Sequence, residues 1–100
     1  MAGYVIIIRD ETTDVDGYPS ALERYTEEAK HSPLAGIRVL ASRNTRFEVR
    51  EGAAAENIAI LRFPSYEEAR AWYGSDAYQR AIPHRQSVAR YRTFIVEADE

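Results

Sequence analysis

Two segments of the chain are apolar on both of the faces that a β-strand presents. Residues 4–9 are rich in β-branched side chains, which favours a strand, and their apolar residues do not alternate with polar ones. Residues 57–63 have the same character. Because antiparallel strands with one wet face alternate apolar and polar residues, these strands must be covered on both faces.

The first predicted helix follows an acidic, turn-rich loop at residues 10–17. Asp16 is the expected N-cap, and Pro19 fits the first helical turn. Ser32-Pro33 and Gly36 are expected to end the helix. Its apolar positions recur at helical spacing and are Ala21, Leu22, Tyr25 and Ala29.

The segments after this helix predict a hairpin and then the second two-sided strand. Residues 37–41 read as a strand, residues 42–45 as a turn and residues 47–50 as the hairpin partner. A loop at residues 51–56 then leads to the strand at residues 57–63.

The next segment contains the only Trp of the chain and two signals for helix starts. Pro64 ends the preceding strand, because proline cannot donate to the ladder. Ser65 with Glu68 forms a capping box, and Gly74 is predicted to close this helix in the left-handed conformation.

A further helix and a last strand complete the predicted elements. Ser75 or Asp76 is the expected cap of the helix, and Pro83 is expected to kink or restart it. Residues 91–96 read as a strand, and the acidic tail at residues 97–100 is expected to fray.

The order β-α-β-β-α(α)-β predicts an α+β fold in a single domain over residues 1–100. With right-handed crossovers, this order gives a ferredoxin-like βαββαβ sandwich whose helices cover one face of the sheet. The simplest cover for the other apolar face is the sheet of a second copy, since two-fold homodimers are the commonest assembly. We therefore expect a homodimer.

Composition excludes several classes of protein. The formal net charge of −3 argues against a nucleic-acid partner, and the absence of Cys excludes disulfides, thiol catalysis and Cys-based metal sites. The start of the chain lacks a basic region, and its apolar run is too short for a signal peptide or a membrane span. A cytoplasmic protein without membrane contact is expected.

Short motifs spread over nearly the whole chain resemble those of the bacterial family of domains of unknown function numbered 1330. In the middle and the C-terminal third, these motifs are Phe63-Pro64-Ser65, Ala69, Trp72-Tyr73, Ser75, Tyr78-Gln79 and Arg85-Gln86. Elsewhere they are Gly3-Tyr4-Val5, Glu51-Gly52 and Ile95-Val96-Glu97. The resemblance implies a dimeric α+β barrel, in which two ferredoxin-like sheets face each other.

The chain also departs from the pattern of that family. Arg62 stands where an acidic residue is common, Asn44-Thr45 where glycine is frequent, Ala98 where Gly is usual and His84 where an apolar residue is more usual. The resemblance assigns no catalytic residue. It implies a superfamily that includes cofactor-free monooxygenases, cyclases, isomerases, haem enzymes and ligand-binding modules, and a fold does not fix a function.

The candidate chemistry lies in the C-terminal half. His84 could act as an acid or base near neutral pH, and Arg85 presents a fork suited to a carboxylate or an enolate. The alternative for Arg85 is an ion pair with a carboxylate such as Asp76. Three aromatic residues either wall a pocket or pack in the core with satisfied polar atoms. They are Trp72, Tyr73 and Tyr78.

Neither a metal site nor a cofactor is expected. His31 and His84 lack a ligand spacing with other residues, and His31 suits the C-terminus of a helix, where a cation complements the dipole. The acidic run from Asp10 to Asp16 lacks the spacing and the central Gly of a calcium loop.

Two functions of different classes remain open, together with haem binding as a third. The first is a cofactor-independent enzyme, of isomerase, cyclase or monooxygenase type, acting on a small hydrophobic or aromatic metabolite. Arg85, His84 and Tyr73 would be catalytic, and Trp72, Tyr78 and Arg85 would bind the substrate. The second is a non-catalytic homodimer that binds a small molecule or a protein.

Overall fold

The computed structural model describes residues 1–33 and 36–100. Within these residues, a four-stranded antiparallel sheet carries three helices on one face. The elements in chain order are β1 (Gly3–Thr12), α1 (Tyr18–Ala29), β2 (Arg38–Ala41), β3 (Asn57–Phe63), α2 (Tyr66–Tyr73), α3 (Asp76–Gln86) and β4 (Ala89–Glu97). The strands lie in the order β2-β3-β1-β4. This confirms the predicted ferredoxin-like α+β fold.

The predicted strand at residues 47–50 is wrong, because these residues belong to the long connection between β2 and β3. β3 is bonded to β1 along one edge and to β2 along the other, so it offers no edge to a further strand. Glu48 and Arg50 instead form an ion pair with each other at 3.0 Å.

The inner face of the sheet forms the main core with α2 and α3. Val5 lies opposite Leu61 and Ile95 in the register, and Ile7 lies opposite Ala59 and Thr93. Above them pack side chains of β3 and of the two helices, namely Phe63, Ala69, Trp72, Tyr78, Ala81 and Ile82. Burial of such apolar surface is the main stabilising term of a fold of this size.

The outer face of the sheet is also apolar and carries no helix in the described parts of the chain. Ile6 lies between Ile60 and Phe94, and Tyr4 lies opposite Val96. Phe94 is 47% exposed and Val96 is 44% exposed. The two-sided pattern of β1 and β3 therefore does correspond to a sheet with apolar residues on both faces.

The helix-start signals of α2 and α3 are confirmed. The backbone N–H of Glu68 donates to Ser65 Oγ at 3.1 Å, and the N–H of Tyr78 donates to Ser75 Oγ at 3.3 Å. Gly74 has φ −83°, so the predicted left-handed cap is wrong. Gly74 has a right-handed helical backbone conformation, and α3 begins two residues later at Asp76, with Ser75 as its N-cap.

The N-cap of α1 is Gly17 rather than Asp16. Asp14 supplies the acceptor here, because its Oδ1 accepts a hydrogen bond from the N–H of Gly17 at 3.0 Å. A Cβ on Gly17 would lie 2.3 Å from Asp14 Oδ2, so glycine permits this close turn. Pro19 lies in the first turn of the helix, as predicted.

The structure corrects two points about the C-terminal third. α3 continues through Pro83 as one helix from Asp76 to Gln86, so of the two predicted effects of this proline the restart does not occur. The tail is held in place, because the Glu100 carboxylate accepts hydrogen bonds from Tyr4 Oη and Arg62 Nε, both at 2.7 Å. A charged anchor on β1 and β3 therefore replaces the expected fraying.

Candidate functional site

A cavity of about 250 Å³ lies on the inner side of the sheet, between α1 and the strands β1, β2 and β3. α1 packs mainly against α3, while α2 is the helix that packs on β1, β3 and β4. This arrangement leaves space above the inner face of β3, where Ala59 contributes only a methyl group. Ile7, Leu22 and Leu61 supply apolar walls.

A larger groove of about 600 Å³ lies on the outer side of α1, beside Glu23, Glu27 and Arg43. Those residues are exposed, and none of the unpartnered buried polar groups of the described chain lines this groove. The smaller cavity is the better candidate site, because ligand sites combine apolar walls with a few convergent polar groups.

The guanidinium of Arg85 is the central polar group of the cavity. Arg85 is only 2% exposed, and none of its three side-chain nitrogens has a hydrogen-bond partner among the residues that the structure describes. Its Cζ lies 4.6 Å from the ring centroid of Tyr91 and 5.7 Å from that of Tyr25. No carboxylate of the described chain pairs with it, Asp76 included.

An unpaired buried charge is costly, because its lost hydration is not replaced by hydrogen bonds or by an opposite charge. The two aromatic rings offset part of this cost through cation–π attraction. Burial acts to lower the pKa of Arg85, and the phenols of Tyr78, Tyr25 and Tyr73 more than offset it, so the pKa is raised. Arg85 is therefore a fixed cation with unused donors.

Two tyrosine hydroxyls meet beside this cation. Tyr25 Oη and Tyr78 Oη lie 2.7 Å apart, which is a hydrogen bond. Tyr25 lines the cavity, whereas Tyr78 is 0% exposed and lies behind it. Burial raises the pKa of Tyr25, and burial also raises the pKa of Tyr91 to about 12. These phenols are neutral hydrogen-bond donors at neutral pH.

Arg9 is a second cation of the cavity, but its charge is balanced. Its Nη1 donates to Tyr18 Oη, its Cζ lies 4.9 Å from the Tyr18 ring centroid, and its Nε donates to Glu56 at 3.1 Å. Glu56 also accepts from the N–H and the hydroxyl of Thr12, at 2.9 and 2.7 Å. Those bonds, together with Arg9, lower the pKa of Glu56.

The open end of the cavity lies near Arg9. A depression on the surface adjoins the cavity there, and Arg9, Tyr18, Arg43 and Asn57 line both spaces. Arg85 does not line the depression. The unpaired cation is therefore at the inner end, and the polar groups of Arg43 and Asn57 are at the mouth.

Of the residues predicted from sequence, the structure places Arg85 on the cavity wall and Tyr78 directly behind it. Trp72 lies in the core, with its ring centroid 4.0 Å from that of Tyr78, and its indole N–H has no partner among the described residues. Tyr73 is half-buried against Tyr78, at 5.5 Å between ring centroids. His84 precedes Arg85 on α3 and lies outside the cavity, because successive helical side chains diverge by about 100°.

The sequence analysis missed Arg9, Tyr25, Asn57 and Tyr91 as site residues. A signal for Arg9 was present, since it has the same parity as Val5 and Ile7 and must face the helices with them. The register then places Arg9 directly opposite Asn57 and Tyr91. Only the pairing of the strands reveals that these side chains converge.

The described residues contain no group of three His, Cys, Asp or Glu side chains placed to hold a metal ion. Among the same residues, no helix has the length and apolarity needed to cross a membrane.

Solved structures with this fold share little sequence with the chain. A dimeric ferredoxin-like protein of unknown function from Bacteroides fragilis has a TM-score of 0.63 at 9% identity, with 97% of this chain and 96% of that chain covered. A dimeric ferredoxin-like protein of unknown function from Jannaschia has a TM-score of 0.59 at 16% identity, with coverage of 98% and 100%. SnoaB, a cofactor-independent oxygenase from Streptomyces nogalater, has a TM-score of 0.58 at 10% identity, with coverage of 99% and 93%.

These likenesses establish the fold. Among curated proteins no match to the chain is found. The family model described as domain of unknown function DUF1330 matches residues 2–99. The motifs, the fold and this match agree, and the chain belongs to the DUF1330 family.

Proposed function

We propose that the protein is a homodimeric, cofactor-independent enzyme that acts on a small hydrophobic or aromatic metabolite bound as an oxyanion against Arg85. The buried, unpaired guanidinium of Arg85 is the observation that carries this proposal. A charge in that position is compensated when an anion enters the cavity, so ligand binding gains the interaction that the free protein lacks.

The cavity favours a flat ligand with an apolar body. Its walls are largely aliphatic and aromatic, with Ile7, Leu22 and Leu61 facing the rings of Tyr25 and Tyr91. The balanced pair of Arg9 and Glu56 at the mouth adds little net charge, and Arg43 adds a further positive charge there, so Arg85 and Arg43 both favour an anionic ligand. An anionic metabolite is therefore preferred over a neutral one of the same shape.

The chemistry that fits this site is reaction through an anion of the substrate. Arg85 stabilises negative charge on a substrate oxygen, and such preorganised charge is commonly the largest catalytic contribution. Described residues lining the cavity include no Asp, Glu or His. A substrate acidic enough to lose its proton to water is then required, and isomerisation, cyclisation or reaction with O₂ would follow from that anion.

The homodimer rests on the outer face of the sheet. Ile6, Ile60 and Phe94 form an apolar surface there, and the outer face of a second sheet, related by a two-fold axis, would bury it. Two of the similar structures are dimeric proteins, and SnoaB is a cofactor-independent oxygenase. Their description supports the assembly and the reaction class proposed for this chain.

A non-catalytic binding protein is the second candidate function. The absence of Asp, Glu and His from the described cavity wall favours it, because binding an anion needs only Arg85 and the apolar walls. This candidate predicts Arg85-dependent binding without turnover.

The test is a panel of small aromatic and enolisable acids, followed by absorbance, oxygen consumption and mass spectrometry of products. We expect turnover by the wild type and a loss of at least about a hundred-fold in Arg85→Gln. Arg80→Gln is the matched control, since Arg80 lies on the same helix and forms an exposed pair with Glu28. Arg85-dependent binding without product would favour the second candidate, and equal turnover by Arg85→Gln would refute the proposed site.

A further inference from the structure

The donors at the inner end of the cavity outnumber what a single oxygen can accept. All three nitrogens of the Arg85 side chain are buried and unpartnered within residues 1–33 and 36–100. A carboxylate has two oxygens with about four lone-pair positions and accepts a guanidinium in bidentate geometry. An enolate or phenolate offers one oxygen. The donor set therefore matches a carboxylate best.

The hydrogen bond between Tyr25 and Tyr78 supplies a further donor. Tyr78 is fully buried, and its hydroxyl has no partner other than Tyr25 Oη in the described chain. Either hydroxyl could donate in this pair, but only donation by Tyr78 to Tyr25 leaves the buried Tyr78 proton paired, because Tyr78 has no other acceptor in the described chain. Because a hydroxyl donates once, this leaves the proton of Tyr25 free to point into the cavity.

The size of the cavity limits the ligand. A volume of about 250 Å³ corresponds to roughly eight water molecules of liquid, at about 30 Å³ each. One aromatic ring with its carboxylate fits within that space, whereas two fused rings with a carboxylate would take up nearly all of it. The ring would lie among Ile7, Ala59 and Leu61, with its far side towards the mouth.

We propose that the site takes an aromatic monocarboxylate with a single ring, held by Arg85 and by the hydroxyl of Tyr25, and that Tyr78 is a positioning residue for Tyr25. This inference rests on the binding of an anion at Arg85, which both candidate functions share, and it narrows the ligand to one chemical class. It assigns the carboxylate to the inner end and leaves the other ring substituents beside Asn57 and Arg43 at the mouth.

The first experiment measures binding of sodium benzoate by calorimetry and by ¹H–¹⁵N NMR. We expect saturable binding with shifts centred on α1, α3 and β3, weaker binding of acetate and of 2-naphthoate, and about a hundred-fold weaker or no binding of benzamide. If benzamide binds as tightly as benzoate, the proposed requirement for an anion is overturned. If acetate binds as tightly, the requirement for an aromatic ring is overturned. If 2-naphthoate binds as tightly, the restriction to a single ring is overturned.

The second experiment uses single and double variants with the same probe. Tyr25→Phe is expected to weaken benzoate binding by about ten-fold, and Tyr78→Phe by about three-fold. Tyr66→Phe, on α2 and outside the cavity, should bind as the wild type does. A residue that acts only through Tyr25 has no further effect once Tyr25 is removed, so Tyr78→Phe should change nothing in the Tyr25→Phe background.

An equal loss from Tyr78→Phe in both backgrounds would show a merely structural role and overturn the positioning. If Tyr25→Phe binds benzoate with the affinity of the wild type, the proposed hydrogen bond from the Tyr25 hydroxyl is overturned. If benzoate does not bind and the acids of the panel that bind or react in an Arg85-dependent way are not single-ring carboxylates, the single-ring carboxylate is refuted and the proposed function stands. If no acid depends on Arg85, both fail.

Discussion

At the scale of single residues, the effect of Arg85 on the stability of the fold is expected to oppose its proposed effect on ligand binding. A buried cation without a partner costs free energy in the empty protein, since its hydration is lost and nothing of opposite charge replaces it. In the proposed function, the same cation is the main group that binds the ligand. A side chain that weakens the fold while it strengthens binding is typical of a site rather than of a core.

We therefore expect Arg85→Met to leave the empty protein as stable as the wild type or to stabilise it by about 1–3 kcal/mol, as replacements of buried ionic groups can. Chemical denaturation measures the free energy of unfolding, with Arg80→Met as the exposed control that should change it by less than about 0.5 kcal/mol. A loss of several kcal/mol in Arg85→Met would show that the guanidinium holds the fold.

The carboxyl group of Glu56 predicts how the free energy of unfolding changes with pH. The hydrogen bonds from Thr12 and the charge of Arg9 lower its pKa in the folded protein from the ordinary value of 4.5. A group whose pKa is lowered in the folded state stabilises the protein at pH values above its ordinary pKa. That stability is lost as the pH falls through the folded-state pKa.

The difference in unfolding free energy between the wild type and Glu56→Gln should therefore be largest at neutral pH and shrink as the pH falls below about 4.5. Denaturant melts over a pH series measure it. Glu23→Gln serves as the control, because Glu23 is exposed on α1 and forms no ion pair in the described chain. A difference that grows towards acid would contradict the role of Glu56.

At the scale of elements, local signals were predicted well and conformations set by the neighbouring chain were not. The capping box at Ser65 follows from side chains three residues apart, so the sequence shows it directly. Gly74 was assigned a left-handed cap from its type alone. Its φ of −83° is set by the start of α3 immediately afterwards, which a helix-by-helix reading does not consider.

Two glycine substitutions test this difference. Gly74→Ala should change stability by less than about 0.5 kcal/mol, because its φ suits any residue and the new Cβ would lie 3.4 Å from the carbonyl oxygen of Arg70. Gly36→Ala should cost about 1–3 kcal/mol, since Gly36 has φ 79° and a Cβ there would lie 2.8 Å from the Pro64 ring. Thermal melts compare the two variants, and equal losses would refute the assigned conformations.

The cavity shows why the site was predicted only in part. Arg85 was identified because its chemistry is informative wherever it lies. Arg9, Tyr25 and Tyr91 lie on three different elements and become neighbours through the register of β1 with β4 and the packing of α1 on α3. Sequence patterns give the face on which a side chain lies, but they do not give the distance between elements.

At the scale of the whole molecule, we expect the two faces of the sheet to have separate roles, one in assembly and one in ligand binding. The inner face, with α1 and α3, forms a cavity on the side of the sheet opposite the outer apolar surface. The outer face carries the apolar surface of Ile6, Ile60 and Phe94. Assembly on the outer face and binding on the inner face should therefore be separable by mutation.

Phe94→Glu tests this separation. Phe94 is 47% exposed in the single chain, so a carboxylate there keeps access to water, whereas in a sheet-to-sheet dimer the same charge would be buried against apolar residues. Light scattering should give the wild type about twice the chain mass of 11.4 kDa and the variant close to the mass of one chain. Val15→Glu is the control, because Val15 is 73% exposed on the loop before α1 and away from the sheet.

The monomeric variant should retain Arg85-dependent binding of benzoate within about three-fold, provided that circular dichroism shows the wild-type fold, because no described cavity residue lies on the outer face. A wild type that scatters as a single chain, or a Phe94→Glu variant that stays dimeric, would refute assembly through this face. Loss of binding in a folded Phe94→Glu monomer would show instead that the second copy shapes the cavity, and that the two faces act together.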